Sequence, residues 1–392
     1  MSSKQLAADV VIVGGGIVGA ASAFFLRKRG HSVVLMERGL VGQQASGVSF
    51  ANVRRQGRYL PQLPLAHRSR DIWGRLPELI GHDAEFIVTG HIRVVYDEKS
   101  VAAIEKYAAD ARPWGLDLEI LSQAAIRKRF PFLGPDVIGG SFSPNDGHAN
   151  PRLAAPAFGR AARKAGATVL ENCEVVDIHK DTLDFRVSAK DGTTVTAPVA
   201  LICAGAWAGK LSAAFGEPVP METHGPIMGV TEPLPYGIVP VVGVTSSNPA
   251  EIMYFRQVKR GNIVFGGGMR GKAYLDERRA HPMPGFTLQQ LPHLRRIAPA
   301  LSNVHVLRTW SGVEGYFPDD LPVMGPSKRV SGLYYAFGFC GHGFQTGPGV
   351  GDVMAELIDQ GTTTIDLTPY SIHRFAATSA APPAVLASAC QE

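Results

Sequence analysis

The sequence has little of several things that would assign its class at once. Among 392 residues there are four cysteines, Cys173, Cys203, Cys340 and Cys390. None has the C-x-x-C or metal-ligand spacing of a zinc site or disulfide scaffold, so they read as reduced, packed thiols of a cytoplasmic protein with no metal. No stretch reaches the roughly eighteen consecutive apolar residues of a membrane span. The nearest approach, Val10 to Leu26, imitates a secretion signal with Ala21-Ser22-Ala23 as its cleavage site. Asp9 precedes that run and glycines interrupt it, so the reading fails. Charge of one sign is scarce too: 39 Lys and Arg stand against 34 Asp and Glu. The basic excess sits in short clusters, Arg27 to Arg29 and Arg54, Arg55, Arg58. A nucleic-acid surface carries a denser and longer stripe, and a mild local excess suits a small anionic ligand better. Repeats are missing, and low complexity is confined to an Ala- and Pro-rich tail after Phe375, read as disordered.

What is present is a strand, a glycine turn and a helix near the start. Val10 to Val13 are continuously apolar, as in a parallel strand buried on both faces. Gly14, Gly16 and Gly19 follow with G-x-G-x-x-G spacing. In such a unit the first glycine makes the turn, the second lets a pyrophosphate approach the backbone, and the third lets the helix pack close. A second strand, Ser32 to Met36, ends in Glu37, the acid expected to bind ribose hydroxyls and to repel a 2′-phosphate. FAD or NAD is therefore favoured over NADP. Two later segments repeat the pattern of strand, glycine turn and helix. They are Val199 to Cys203 with Ala204-Gly205-Ala206-Trp207, and Leu333 to Phe337 with the loop Gly338 to Gly351.

Between these segments the periodicities predict helices at Ile17 to Arg29, Leu63 to Leu79, Ser100 to Arg112, Ser122 to Phe130 and from Asn150-Pro151 onward. Strands are predicted at Phe86 to Tyr96, Ala167 to Leu170 and, as a small meander, Cys173 to Ile178, Phe185 to Ala189 and Thr193 to Thr196. From Gly139 the chain is expected to return to the first lobe. Residues 217 to 321, rich in Pro, Gly and β-formers, predict a mixed sheet with one helix near Leu288 to Ile297. The implied class is α/β, with a Rossmann-like dinucleotide-binding domain (1–84, 141–216 and 322–375) and a mixed-sheet α+β second domain (85–140 and 217–321), followed by the tail 376–392.

Taken together, Gly14 to Gly19, Glu37-Arg38, Ser46-Gly47, Ala204-Gly205-Ala206-Trp207 and Gly341-His342-Gly343-Phe344-Gln345 resemble the glutathione-reductase-type FAD enzymes of the D-amino-acid oxidase superfamily. Within it they sit nearest glycine oxidase, sarcosine oxidase and the catalytic subunits of opine and hydroxyproline dehydrogenases. The resemblance covers about residues 8 to 375 and makes the first domain the FAD-binding domain and the second the substrate domain. It implies oxidation of a C–N bond, with hydride passing from the substrate α-carbon to flavin N5 and water hydrolysing the imine. It also implies oxygen or a quinone as electron acceptor, and other subunits are possible. The FAD contacts it implies are Gly14, Gly16, Ile17, Val18, Gly19, Glu37, Arg38, Ser46, Gly47, Asn52, Val175, Ala204, Gly205, Trp207, Gly341, His342, Gly343, Phe344, Gln345 and Thr346. Monomeric sarcosine oxidases tether flavin through a cysteine in the segment resembling Trp310 to Pro318; here Gly312 stands in its place, so the FAD is expected to be non-covalent.

For substrate, Tyr254 and Arg256 are two apart on a strand and so share a face. Arg54 and Arg55 follow the Ser46 loop and suit a carboxylate clamp. His342 is a flavin-face or substrate contact or, equally, a hydrogen-bonded buried histidine. Glu314 replaces the arginine with which glycine oxidase holds its substrate carboxylate. Arg54, Tyr254, Arg256, Glu314 and His342 are thus the catalytic candidates, for an amino acid or a secondary-amine amino acid. The rival readings are an NAD-linked dehydrogenase, an FAD-bearing subunit inactive alone, and a flavoprotein that binds nucleic acid.

Overall fold

The computed structural model describes residues 4–246 and 248–379. The tail expected to be disordered lies, from residue 380 on, outside the described residues; Ile372–Ser379 form a 3₁₀ helix.

The first lobe is built on a six-stranded sheet in the order Thr168–Leu170, Val33–Met36, Val10–Val13, Val199–Ile202, Leu333–Phe337, Val323–Pro326. All neighbours run parallel except the last pair. The continuous apolar runs have the cause inferred from sequence, because both faces are covered. Val10 and Ile12 face a helical layer, while Val11 and Val13 face the other side. The helical layer contains Ile17–Lys28, Pro151–Lys164 and Gly343–Gln360. It packs tightly: a Cβ on Gly351 would stand 2.5 Å from that of Ala21. The opposite face carries a four-stranded sheet of Gln5–Ala7, Thr194–Ala197, Phe185–Ala189 and Val175–Lys180. Its first strand has no counterpart among the elements expected from sequence.

The second lobe is a mixed sheet of ten strands. Its long central pair is Glu222–Pro233 with Asn262–Tyr274, and among the described residues its one parallel pairing joins Val241–Val244 to His91–Val95. The expected helix is present as Pro284–Ile297. Three expectations are corrected. Phe86 to Tyr96 is two strands, Ile87–Val88 and His91–Val95, because Gly90 turns the chain with φ +75°. Leu63 to Leu79 is two helices, Leu63–Gly74 and Leu76–Ile80, separated at Arg75, whose amide bonds back to Ile72. Gly139–Ser143 still pairs inside the second sheet, and the chain leaves it only at Gly147–His148. There a three-stranded sheet of Asn52–Val53, Gly147–His148 and Ile87–Val88 joins the lobes. No helix among the described residues is long and apolar enough to cross a membrane.

Candidate active site

The three strands Val10–Val13, Val199–Ile202 and Leu333–Phe337 end side by side, and their glycine turns open one elongated cleft at the carboxyl edge of the sheet. Such an edge is where open α/β sheets bind ligands. Gly14 makes its turn at φ +106°, with the Cys203 carbonyl oxygen 2.5 Å from where a Cβ would be. A Cβ on Gly19 would fall on the Gly14 carbonyl. The cleft is thus lined by backbone because side chains do not fit.

Glu37 closes the second strand at 9% exposure. Its Oε2 accepts from the Gly15 amide at 2.6 Å and its Oε1 from the Gly39 amide at 2.8 Å. Two amides hold the carboxylate facing the cleft and leave lone pairs for a ribose diol. Ser46 Oγ accepts from the Ile17 amide at 2.9 Å, at the start of the first helix. At the far end the Arg38 guanidinium lies 3.7 Å over the Trp207 ring, beside Glu174 and Val175. Burial pulls the Arg38 pKa down. Glycine backbone, a ribose-type acid and an aromatic end wall fit a dinucleotide.

The cleft brings together Gly14, Gly16, Ile17, Val18, Glu37, Arg38, Ser46, Val175, Ala204, Gly205, Trp207, Gly341, Gly343 and Phe344. Four other expected contacts have side chains or positions elsewhere. Gly47 lines a different cavity. Asn52 pairs with His148 in the small sheet, and its buried Oδ1 is unpartnered. The Gln345 amide donates to the Ala66 carbonyl, and Thr346 Oγ1 donates to the His342 carbonyl within its own helix. Gly19, packed against the Gly14 carbonyl, is a fifth that does not line the cleft.

At the Gly341 end the cleft meets a set of charged side chains. Glu314 lines the cleft and accepts from the Tyr316 hydroxyl at 2.6 Å, while Arg270 lies 3.8 Å over the Tyr316 ring. Burial pushes the Glu314 carboxyl above its usual range, and Arg270 partly opposes this. Burial also raises the Tyr254 hydroxyl, which feels both Glu314 and Arg54.

Across from these lie Arg54, Arg58 and Arg93, of which Arg58 is 3% exposed. Arg54 donates to the Gln56 carbonyl and Arg58 Nε to the Arg54 carbonyl, while the Arg58 Nη1 is buried without a partner. Burial pushes Arg58 down to about 9 and Arg93 down to about 10. The carboxylate nearest in field, Asp146, is fully buried and taken by Arg55, whose Nε is 2.9 Å from its Oδ1. This corrects the expected clamp, since Arg55 is tied inside the fold and Arg54 is joined by Arg58 and Arg93 instead. His342, kept neutral by burial and by Arg58, Arg54 and Arg270, lies near those three guanidinium groups with its Nδ1 buried and unpartnered. Gln56 locks the cluster from behind, its amide nitrogen reaching His91 Nδ1 at 2.7 Å and its oxygen accepting from Ser141.

Arg256 is the other correction. Tyr254 and Arg256 do share a face, since both touch Phe50: the Tyr254 ring is 4.6 Å from the Phe50 ring, and Arg256 Nε donates to the Phe50 carbonyl at 2.9 Å. Phe50, however, stands between them. Tyr254 faces Glu314 and Arg54, whereas Arg256 faces His148.

Comparison with known proteins agrees with this geometry. Residues 9–357 match the model of the family described as DAO, FAD dependent oxidoreductase. Glycine oxidase of Geobacillus kaustophilus is 28% identical over 93% of this chain and 97% of its own length. One of the subunits of opine oxidase of Rhizobium meliloti is 27% identical over 95% of this chain and 99% of its own. The crystal structure of L-proline dehydrogenase from P. horikoshii superposes with a TM-score of 0.88 at 28% identity, covering 96% of this chain and 99% of that one.

Proposed function

Because the chain belongs to the DAO family of FAD-dependent oxidoreductases, we propose that it oxidises the C–N bond of an amino acid, and of an N-substituted amino acid in preference to glycine. The observation that carries the reading is a set of three arginines, buried Arg58 and half-buried Arg54 beside His342 and half-buried Arg93 next to Arg54, with no ion pair of their own among the described residues. Buried guanidinium groups without a counter-ion are costly, and a substrate carboxylate supplies one with charge-assisted bonds of about 1.5–3 kcal/mol each. Three such groups suit a substrate with more than one carboxylate. Glu314, on the facing wall, suits the amine.

Bound FAD supplies the acceptor for the hydride that leaves the substrate carbon. The glycine turns at Gly14–Gly16 and Gly341–Gly343, with Ser46 and Glu37, are the residues that hold it. Arg54, Arg58 and Arg93 orient the carboxylates, while Tyr254 and Phe50 close the pocket from bulk water. Neutral His342 offers a ring nitrogen at the junction without adding charge. A carboxyl raised by burial lets Glu314 hold or release the amine proton nearer neutral pH. Gly312 leaves no thiol for a covalent tether, and a Cβ there would run into Val48, which supports non-covalent FAD. Free, buried Cys173, Cys203 and Cys340 support a reducing compartment, the cytoplasm. A partner chain is supported by the opine oxidase match, which is to one subunit of that enzyme, and oxygen or a quinone is the terminal acceptor. The three-part nucleotide domain and two-part substrate domain are supported by the way the strands divide between the two large sheets, with the first return moved past Ser143.

Anaerobic titration of the FAD-loaded protein tests the reading. Iminodicarboxylates should bleach the flavin at lower concentration than glycine does. Bleaching only by 2-hydroxy acids, or by amines without a carboxylate, would overturn it.

A further inference from the structure

Arg256 is 4% exposed and forms no ion pair among the described residues. Beyond Phe50, its remaining hydrogen bond runs from Nη1 to His148 Nδ1 at 3.1 Å. A guanidinium has no lone pair to offer, so Nδ1 is the acceptor and the neutral ring carries its proton on Nε2. Burial and the adjacent cation push His148 down to about 2, so the ring is neutral at any working pH. That Nε2 is buried and has no partner. The fold therefore places two donors side by side, one of them charged, and brings no anion into contact with them; the carboxylate nearest in field, Glu85, is bonded elsewhere. Native interiors leave such groups unmet where something else completes them.

The two residues line a second cavity of about 540 Å³, within the range of small-molecule sites. It lies behind the cofactor loop. The dinucleotide cleft touches Ala45, Ser46 and Ser49, and this cavity touches Gly47, Val48 and Ser49. Arg152, Lys259, Arg260 and Arg308 complete five cations against two acids, Asp83 and Glu85. Glu85 is already engaged, by Arg260 at 3.3 Å and Asn150 at 3.0 Å.

We propose that this cavity is a second ligand site, separate from the reaction pocket, which binds the phosphate or carboxylate group of a small molecule on Arg256 and His148. The ligand's oxygens accept from the unused Arg256 nitrogen and from His148 Nε2–H, and the rim cations steer it inward.

Calorimetric titration of the FAD-loaded, full-length protein at low ionic strength, with inorganic phosphate and with succinate in separate arms, tests this. Saturable binding of one equivalent is expected in at least one arm. Phosphate alone identifies a phosphate-bearing ligand, succinate alone a carboxylate-bearing one, and both the shared oxyanion chemistry. Arg256→Met should weaken that binding at least about tenfold, and Arg308→Ala about threefold. Arg93→Met, in the reaction pocket, should leave it unchanged. If Arg256→Met does not fold, Arg308→Ala and Arg260→Ala carry the test. No saturable binding in either arm overturns the proposal, as does binding that is lost in Arg93→Met but intact in the variants of this cavity.

Discussion

The dinucleotide cleft and the proposed reaction pocket meet at Gly341 but are made of different material. The cleft is chiefly glycine backbone around Glu37, whose carboxylate is held by two main-chain amides. The pocket is long side chains, chiefly arginine, tyrosine and glutamate, converging from separate elements. The first kind of site is defined by atoms that must be absent, the second by charges that must be present. Added volume should therefore abolish the cleft, while lost charge should only weaken the pocket.

The largest effect should come from Gly19→Val. Its side chain would collide with the Gly14 carbonyl, and the purified variant should contain no FAD by absorbance and fold poorly. A variant with full flavin would break the comparison.

Arg58→Met or Arg93→Met should keep FAD and melting temperature near wild type. Each should nevertheless raise the substrate concentration for half-maximal anaerobic flavin reduction by about 10- to 100-fold, the equivalent of 1.5–3 kcal/mol. Unchanged half-saturation in both would remove the arginines from the pocket's role.

Acid stability sharpens the contrast at a third point. His148 has its folded pKa pushed far below the ordinary value near 6.5. The unfolded chain binds the extra proton, so stability present above about pH 6.5 is lost as pH falls below it. His148→Gln should flatten the fall in melting temperature between about pH 6.5 and 4. An identical slope would mean the ring is not held neutral. The smallest effect is expected for Arg38→Ala, which removes a cation–π contact worth about 0.5–1 kcal/mol at a partly exposed site. FAD dissociation followed by fluorescence should be faster by only a few-fold.

Legibility in the sequence follows the same division. A site made of backbone leaves its mark as spacing, so Gly14, Gly16, Glu37 and the Gly341 loop can be placed by counting. A site made of convergent side chains leaves none. Arg58 comes from a loop, Arg93 from a strand of the second sheet and Arg270 from another strand more than 170 residues later. Alternation assigns Arg256 to the correct face, since it reports the face of a strand. It does not report that a third residue, Phe50, will divide that face in two. Arg55 and Gln345 show a related limit: each has a polar group suited to a ligand, and each spends it on the fold, on Asp146 and on the Ala66 carbonyl.

The loop from Ala45 to Phe50 is anchored from far along the chain. Trp310 Nε1 donates to the Val48 carbonyl at 2.8 Å across 262 residues, and Arg256 to that of Phe50 across 206. Contacts of such high sequence separation form late, because the intervening chain must close before they repay its entropy. During synthesis the glycine turn and first helix leave the ribosome early. The loop beside them cannot settle until Trp310 has been made. The loop that borders the cleft thus takes its final anchors from residues made long after the glycine turn.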